Sequence, residues 1–343
     1  MPDRVTTRLT QRDIARLAKV SQTTVSLVLN NRVEASARIP AATRDRVLKV
    51  IRETGYVADP LARRMQQQRN QILGVFTYES VFPSASGDFY HPFLAGIEDC
   101  AEQLGWDLLL FTSAPVTEGR RQIFHQNNRL RIADGCLLLG RRIPAEELSR
   151  LIAEEYPFVS VGRRDEAGAP VPYVGADYAA ATATVVERAK ALGHRRIAFV
   201  GPGVGAESSA DRLRGFRQAA GPRARHEPTG DRNPADVLDT LLDQRITAAF
   251  VEDRADAVAL VDAAAAGGID VPAELSVIAL GDPTRPADTD IDFSGFHVPR
   301  REMGRQATEL LEAILSGQAE AGSQRLIPCE LVDGTTLTTP KGS

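Results

Sequence analysis

With 343 residues, of which 43% are hydrophobic and 25% charged, the chain has room for a small head and one or two α/β lobes, in the composition of an ordinary globular protein. The net charge of −4 is unevenly spread: residues 1–69 hold 14 Lys and Arg against 6 Asp and Glu, and the remainder holds 27 against 39. A basic head on an acidic body fits a nucleic-acid reader attached to a body that does not bind nucleic acid. Cys100, Cys136 and Cys329 are odd in number and lie far apart in apolar runs, which argues against a disulfide frame or a zinc site. The opening MPDRVTTRLTQRD contains no apolar core, and no run approaches the length of a membrane span, so a cytoplasmic location and no membrane partner are expected.

Residues 1–8 read as a loose arm whose Arg4 and Arg8 are candidates to touch phosphates. Leu9 to Asn30 reads as two short helices around a tight turn. Thr10 caps the first helix, and Asp13 suits its positive end. Ile14, Leu17 and Ala18 make one apolar stripe. Lys19-Val20 is the turn, and Ser21 restarts the chain as an N-cap. In the second helix Val25, Val28 and Leu29 face the first, leaving Gln22, Thr23, Ser26 and Leu27 outward. That shape suits entry into a DNA major groove, the alternative being a plain αα-hairpin. After a link, Asn31 to Ile39, that carries Arg32 and Arg38, Pro40 suits the first turn of a third helix. This third helix, over Thr43 to Tyr56, would point Val47, Leu48 and Ile51 inward and Arg44, Arg46, Lys49 and Arg52 outward. Asp59-Pro60 starts another helix, to about Gln66, too short to stand alone in water. Polar linker follows to Asn70.

From Ile72 the pattern changes to alternating strands and helices, which predicts a doubly wound parallel sheet. The first set comprises strand 72–78, helix 89–106, strand 107–113, a helix around 118–131, strand 135–140, a helix near 145–153 and strand 157–162. A second set starts near Tyr173, with helices over 178–192, 208–220, 234–244 and 254–267 and strands RIAFVG, TAAFVE and LSVIAL.

Three stretches together carry a family resemblance. D-I-A-x-x-A-x-V-S-x-x-T-V-S-x-V-L-N runs from Asp13 to Asn30. T-R-x-R-V-x-x-x-I-x-x-x-G-Y runs from Thr43 to Tyr56. Ala62-Arg63 lies in the segment Asp59 to Arg69. In these the chain resembles the LacI/GalR family of bacterial transcription regulators. The resemblance implies a three-helix helix-turn-helix DNA-binding head (1–58), a hinge helix and linker (59–70), and a two-lobed periplasmic-binding-protein-like α/β core of type I (71–343). Lobe 1 would take about 71–170 and 298–325, and lobe 2 about 171–297 and 326–340. The stretch FSGFHVPRREMG would bring the chain back to the first lobe. Implied DNA contacts are Thr10, Ser21, Gln22, Thr23, Thr24, Ser26, Leu27, Asn30, Arg38, Tyr56, Ala62, Arg63 and Met65. Met65 stands where the family usually places a leucine that wedges between base pairs. The implied partners are a pseudo-palindromic operator, a small-molecule effector and a second copy of the chain, with higher assembly left open.

The resemblance puts the effector in the cleft, outside the carboxyl ends of the strands. Tyr78 with Glu79, Phe89, Arg141, Arg163, Glu252 and Asp282 follow those ends. Arg212 matches the effector-contacting arginine of the family's R-x-x-G-F. Several departures bear on specificity. Glu252-Asp253 stands where many sugar-responsive members have Asn-Asp, and Gly281 replaces an aspartate. An effector that is a sugar or a small anion is therefore expected, since several arginines suit a carboxylate or phosphate. Leu27 replaces an arginine and offers only apolar contact to a base. Lys19 replaces the turn glycine and calls for an adjusted turn.

Catalytic patterns are sparse. Gly201 to Gly205 follows a strand but lacks both dinucleotide-loop spacing and a P-loop lysine. No G-x-S-x-G, H-E-x-x-H or Cys-His pairing is present. No cofactor and no enzymatic activity are expected. The rival readings are a two-lobed enzyme, or a solute-binding core, fused to a DNA-binding head.

Overall fold

The computed structural model describes residues 9–29, 39–56, 70–79, 87–117, 119–126, 128–284 and 289–341. The chain divides into two compact units, 1–70 and 71–343.

In the first unit, α1 (Gln11–Ala18), α2 (Gln22–Leu29) and α3 (Ala41–Thr54) surround a small core. Ile14, Ala15, Ala18, Val25, Val28 and Val47 are buried there, with Leu29, Leu48, Ile51 and Tyr56 packed around them. Leu17 does not join this core: the buried stripe of α1 is Ile14, Ala15 and Ala18, and Leu17 lies beside it, 52% exposed. α3 starts two residues earlier than the sequence pattern suggests. Pro40 occupies the cap, and its missing N–H is no loss there. Gly55, with φ near +60°, ends the helix in the left-handed region where glycine carries no side-chain penalty. Arg46 does not simply face outward. Its Nε donates to the Ala18 carbonyl at 2.9 Å and so satisfies the carbonyl end of α1.

The second unit begins with β1 (Ile72–Thr77), α4 (Gly87–Leu104) and β2 (Asp107–Phe111). A two-residue hairpin follows, β3 (Val116–Thr117) and β4 (Arg120–Arg121), then a 3-10 turn Leu130–Ile132. Next come β5 (Gly135–Leu139), α5 (Ala145–Ala153), β6 (Phe158–Val161), β7 (Tyr173–Ala176), α6 (Tyr178–Ala191) and β8 (Ile197–Val200). After them run α7 (Glu207–Ala220), β9 (Arg225–Glu227), α8 (Pro234–Asp243), β10 (Ala248–Val251), α9 (Arg254–Ala266) and β11 (Ser276–Ala279). The chain closes with β12 (Gly295–His297), α10 (Arg300–Leu315), β13 (Gln324–Ile327) and β14 (Glu330–Val332).

The strands form two six-stranded sheets, ordered β13-β7-β6-β5-β1-β2 and β14-β12-β11-β10-β8-β9. Every pairing in the first is parallel. In the second only β14 runs antiparallel, against β12. The central strands β5, β6, β8, β10 and β11 are buried along their whole length, as sheets covered by helices on both faces require. The chain passes between the sheets three times: after Ala176, after His297 and after Ile327.

The lobe boundaries therefore fall later than the sequence reading places them. Tyr173–Ala176 pairs with β6 and with β13 in the first sheet, so Gln324–Ile327 also belongs to lobe 1. A short buried apolar run looks the same whichever sheet it joins, which is why the pattern alone misplaces it. The helix expected around 118–131 is also absent from the described residues there. Gly119 sits at φ +76°, and the backbone donors of this stretch go to other elements: Arg121 N to Tyr78 O at 2.8 Å, Ile123 N to Glu147 Oε1 at 3.0 Å. Those outside bonds replace the helical ladder.

Close helix contact sets the packing of lobe 1. α4 and α10 approach so tightly that a Cβ on Gly304 would stand 2.1 Å from the Phe93 carbonyl oxygen. The return helix is thereby fixed against the first lobe, and Arg300 and Met303 at its start line the cleft.

Candidate functional sites

The head exposes one face of α2. Ser21 caps that helix, receiving the Thr24 N–H at 3.1 Å, with its hydroxyl 2.8 Å from that of Thr24. Gln22 and Thr23 are exposed and Ser26 and Leu27 half-buried. Gln22 is tied to α1: its Nε2 donates to Gln11 Oε1 at 3.3 Å, and Arg12 Nε donates to its Oε1 at 3.4 Å. Thr10 and Asp13 form a reciprocal capping box at the start of α1. Asp13 N donates to Thr10 Oγ1 at 3.4 Å and Thr10 N to Asp13 Oδ2 at 3.0 Å. The hydrogen bonds from Thr10 hold the Asp13 carboxyl below the usual carboxylate range. Lys19 joins the helices in the left-handed conformation, φ 54° and ψ 47°, so the turn is not adjusted to its side chain: lysine takes the strained conformation that glycine adopts freely. Tyr56 is half-buried against the head's core. Asn30, Arg38, Ala62, Arg63 and Met65, with the expected hinge helix, lie outside the described residues.

Between the two sheets of the second unit lies a cavity of about 380 Å³, a size that suits a small metabolite. Of the sequence candidates, Phe89, Arg141, Arg163, Arg212 and Glu252 line it. Tyr78 does not. It is fully buried in lobe 1, in the cluster with Phe76 and Leu148, and its hydroxyl donates to Glu147 Oε2 at 2.7 Å. Glu79 accepts the Tyr90 hydroxyl and the Arg141 N–H and is not among the lining residues. Asp282 also lies off the cavity. Its carboxylate accepts from Val298 N at 2.7 Å and sits 2.5 Å from His297 Nδ1, bracing the strand-to-helix return. Residues just past strand ends alternate between facing the cleft and turning into their own lobe, and nothing in a single residue's type decides which.

Two ion pairs cross the cleft. Arg163 and Arg164 follow β6 in lobe 1, while Glu207 and Asp211 stand one turn apart on α7 in lobe 2. Arg163 Nε donates to Asp211 Oδ2 at 2.6 Å, and Arg164 Nη1 to Glu207 Oε2 at 2.8 Å. Arg164 also donates to Ser160 Oγ and to the Gly140 carbonyl. Arg164, Glu207 and Asp211 are absent from the sequence candidates. The signal available was the doubled arginine at a strand end and an acid directly before Arg212.

Arg212 and Arg300, deeper in, are bonded differently. Arg212 Nε donates to the Leu280 carbonyl at 2.6 Å and Nη1 to Ser208 O at 3.0 Å, with the guanidinium 3.8 Å over the Tyr178 ring. Arg300 Nη2 donates to the carbonyls of Pro283 at 3.0 Å and Asp282 at 3.2 Å, beside the Phe89 ring. Burial is the main force lowering the pKa of Arg300, with Arg212 adding to it and nearby Asp282 and Asp253 opposing. Arg300 lies in the return stretch that the sequence marks, but the pattern there gives no hint that it reaches the cleft.

The acids of the cavity wall already hold donors. Glu252 accepts from Gly203 N at 3.2 Å and from the Ser209 hydroxyl. Asp253 caps α9 through Ala255 N at 2.8 Å and accepts from Thr284. Burial pushes the thiol of Cys100 up to about 11 and that of Cys329 to about 12, so neither is a thiolate nucleophile at neutral pH. Among the described residues no cluster of three or more His, Cys, Asp or Glu is placed to hold a metal, and no helix is long and apolar enough to cross a membrane.

Comparison with known proteins agrees with this architecture. Residues 10–59 match the model for bacterial regulatory proteins of the lacI family, and residues 186–337 match that for a periplasmic binding protein-like domain. The chain is 28% identical over 347 residues to the HTH-type transcriptional repressor CytR of Escherichia coli K12, covering 97% of this chain and 98% of that protein. It is 25% identical to catabolite control protein A of Priestia megaterium, over 92% and 95% of the two chains. Its fold is similar to that of the lac repressor dimer bound to operator and the anti-inducer ONPF, with a TM-score of 0.73, 22% identity and coverage of 97% and 100%. With the head match, the core match and the near full-length relatives, the chain resembles the lacI-family bacterial regulatory proteins along its length, and it is a DNA-binding transcription regulator and not an enzyme.

Proposed function

We propose that this protein is a homodimeric cytoplasmic repressor whose grip on a pseudo-palindromic operator is set by a small molecule in the cleft. The observation that carries the reading is the pairing of an exposed, capped α2 face with a cleft in the second unit lined by buried arginines. Lys and Arg of the head neutralise phosphates, giving affinity that depends on salt. Gln22, Thr23 and Ser26 read base edges, with Leu27 supplying apolar contact. The hinge segment of each protomer, with Met65 as wedge, bends the site. The effector changes how the lobes close, and that change is coupled to the hinge pairing as a two-state equilibrium.

Fluorescence anisotropy with DNA from upstream of the protein's own gene tests this. Affinity is expected to fall by orders of magnitude between 50 and 200 mM salt. Met65→Gly should lose specific binding and keep a folded core. Absence of binding to every neighbouring DNA fragment at low salt, with and without cell extract, overturns the reading.

A further inference from the structure

The arginines of the cleft fall into two chemical classes. Arg163 and Arg164 are neutralised by carboxylates. Arg212 and Arg300 are as well buried, 7% and 8% exposed, yet they are held only by carbonyl oxygens and aromatic rings. Among the described residues neither has a carboxylate oxygen within 4 Å.

The acids nearby cannot easily turn to them. The carboxylate of Asp282 is engaged with His297 and Val298 N, that of Glu252 with Gly203 N and Ser209, that of Asp253 with Ala255 N and Thr284. Opposite Arg212 stands Gly281, where a Cβ would be 3.0 Å from Nη2; the chain places no side chain there. Carbonyl dipoles and ring faces offset part of the cost of burying a guanidinium, but not its net charge. Two such charges lining one cavity also repel each other, as the effect of Arg212 on Arg300 indicates. A buried cation is ordinarily paired, and among the described residues no carboxylate pairs with either arginine.

We propose that the missing charge is brought by the ligand: the cleft takes a hydroxylated organic anion, carboxylate or phosphate ester, whose negative group meets Arg212 and Arg300. Its neutral hydroxyls face Glu252 and Asp253, whose oxygens accept hydrogen bonds. A neutral sugar leaves both guanidinium charges unmatched. The proposal rests on the cleft being the effector site.

The test uses the full chain. Thermal melting is followed against inorganic phosphate with chloride as the ionic-strength control, and against D-glucose, D-gluconate and glucose 6-phosphate. Phosphate should raise the melting temperature saturably where chloride does not, and a charged sugar derivative should bind at least tenfold more tightly than glucose. Arg300→Gln, and independently Arg212→Gln, should weaken the anion response at least tenfold, so one variant that fails to fold does not remove the test. Anions that act no better than chloride, glucose binding as tightly as both its charged derivatives, or a response unchanged in the folded variants overturns the proposal. Operator affinity measured in parallel separates the two readings. Anion binding that leaves DNA affinity unchanged upholds the ligand class and sinks the effector role; neutral sugars that alone bind and shift DNA affinity do the reverse.

Discussion

The head and the cleft treat polar side chains in opposite ways. On α2, Gln22 and Thr23 are exposed, and the helix is held by Val25 and Val28 on its other face. In the cleft, Arg164, Asp211, Arg212 and Arg300 are buried, and each is bonded to elements other than its own or adjacent to a ring from another helix. The exposed side chains of α2 lie outside the head's apolar core. In the cleft Arg163 and Arg164 bridge the lobes through carboxylates, while Arg212 and Arg300 are built into the cavity wall by carbonyls and rings. Substitutions on the exposed face of α2 should therefore act on binding alone, and substitutions in the cleft on binding and stability together.

The largest effect is expected at Arg164. Arg164→Met strips Glu207 of its partner and leaves Ser160 Oγ and the Gly140 carbonyl without this donor. Breaking such a pair from one side should cost about 3 kcal/mol, read from urea unfolding. Adding Glu207→Leu should recover most of it. Equal stability of the single and double variants would show that the bridge does not hold the lobes.

A gain is expected in the head. Lys19 sits in the left-handed region, so Lys19→Gly should stabilise the head by about 1 kcal/mol. Thermal melting of the full chain checks this, and a loss would mean that the lysine side chain contributes more than its backbone strain takes away.

The second unit carries an acid-sensitive contribution. Burial lowers the pKa of His194, whose Nε2 lies 2.7 Å from the Thr338 carbonyl and Nδ1 2.8 Å from Thr247 Oγ1. The unfolded chain protonates this histidine near pH 6.5 and the folded chain only below that. Its contribution is therefore present above about pH 6.5 and is lost as pH falls. His194→Gln should flatten the slope of stability on the acid side of that value; an unchanged slope assigns the acid sensitivity elsewhere.

The smallest effect on stability, and the sharpest contrast with Arg164, is expected at Thr23. Thr23→Ala should leave unfolding within about 0.5 kcal/mol of the parent. It should still change which operator variants are preferred in a selection from randomised DNA. A large loss of stability there would erase the distinction between the two regions.

The head was the more legible of the two because its signals are local. The cap at Thr10, the turn at Lys19 and the restart at Ser21 depend on residues within a few positions of one another. Its errors came from geometry around one helix: Leu17 fits the apolar spacing yet lies beside the stripe. The alternation of strands and helices indicated the two-lobed core, but not which sheet would claim Tyr173–Ala176, because that choice is settled by β13, some 150 residues later. In the cleft, Arg212 was readable from its place in a motif. Arg164 and Arg300 were not, since their roles arise only when Glu207, Phe89 and the Pro283 carbonyl are brought to them from distant parts of the chain. Tyr78 and Asp282 show the converse, right place in the sequence and wrong side of the strand end.

The shortest of the three passages between the sheets is Pro328-Cys329, from Ile327 in one to Glu330 in the other. Three peptide steps can span no more than about 11 Å. The two lobes are thus leashed at this edge, so a widening of the cleft would have to turn about it and could not be a simple parting.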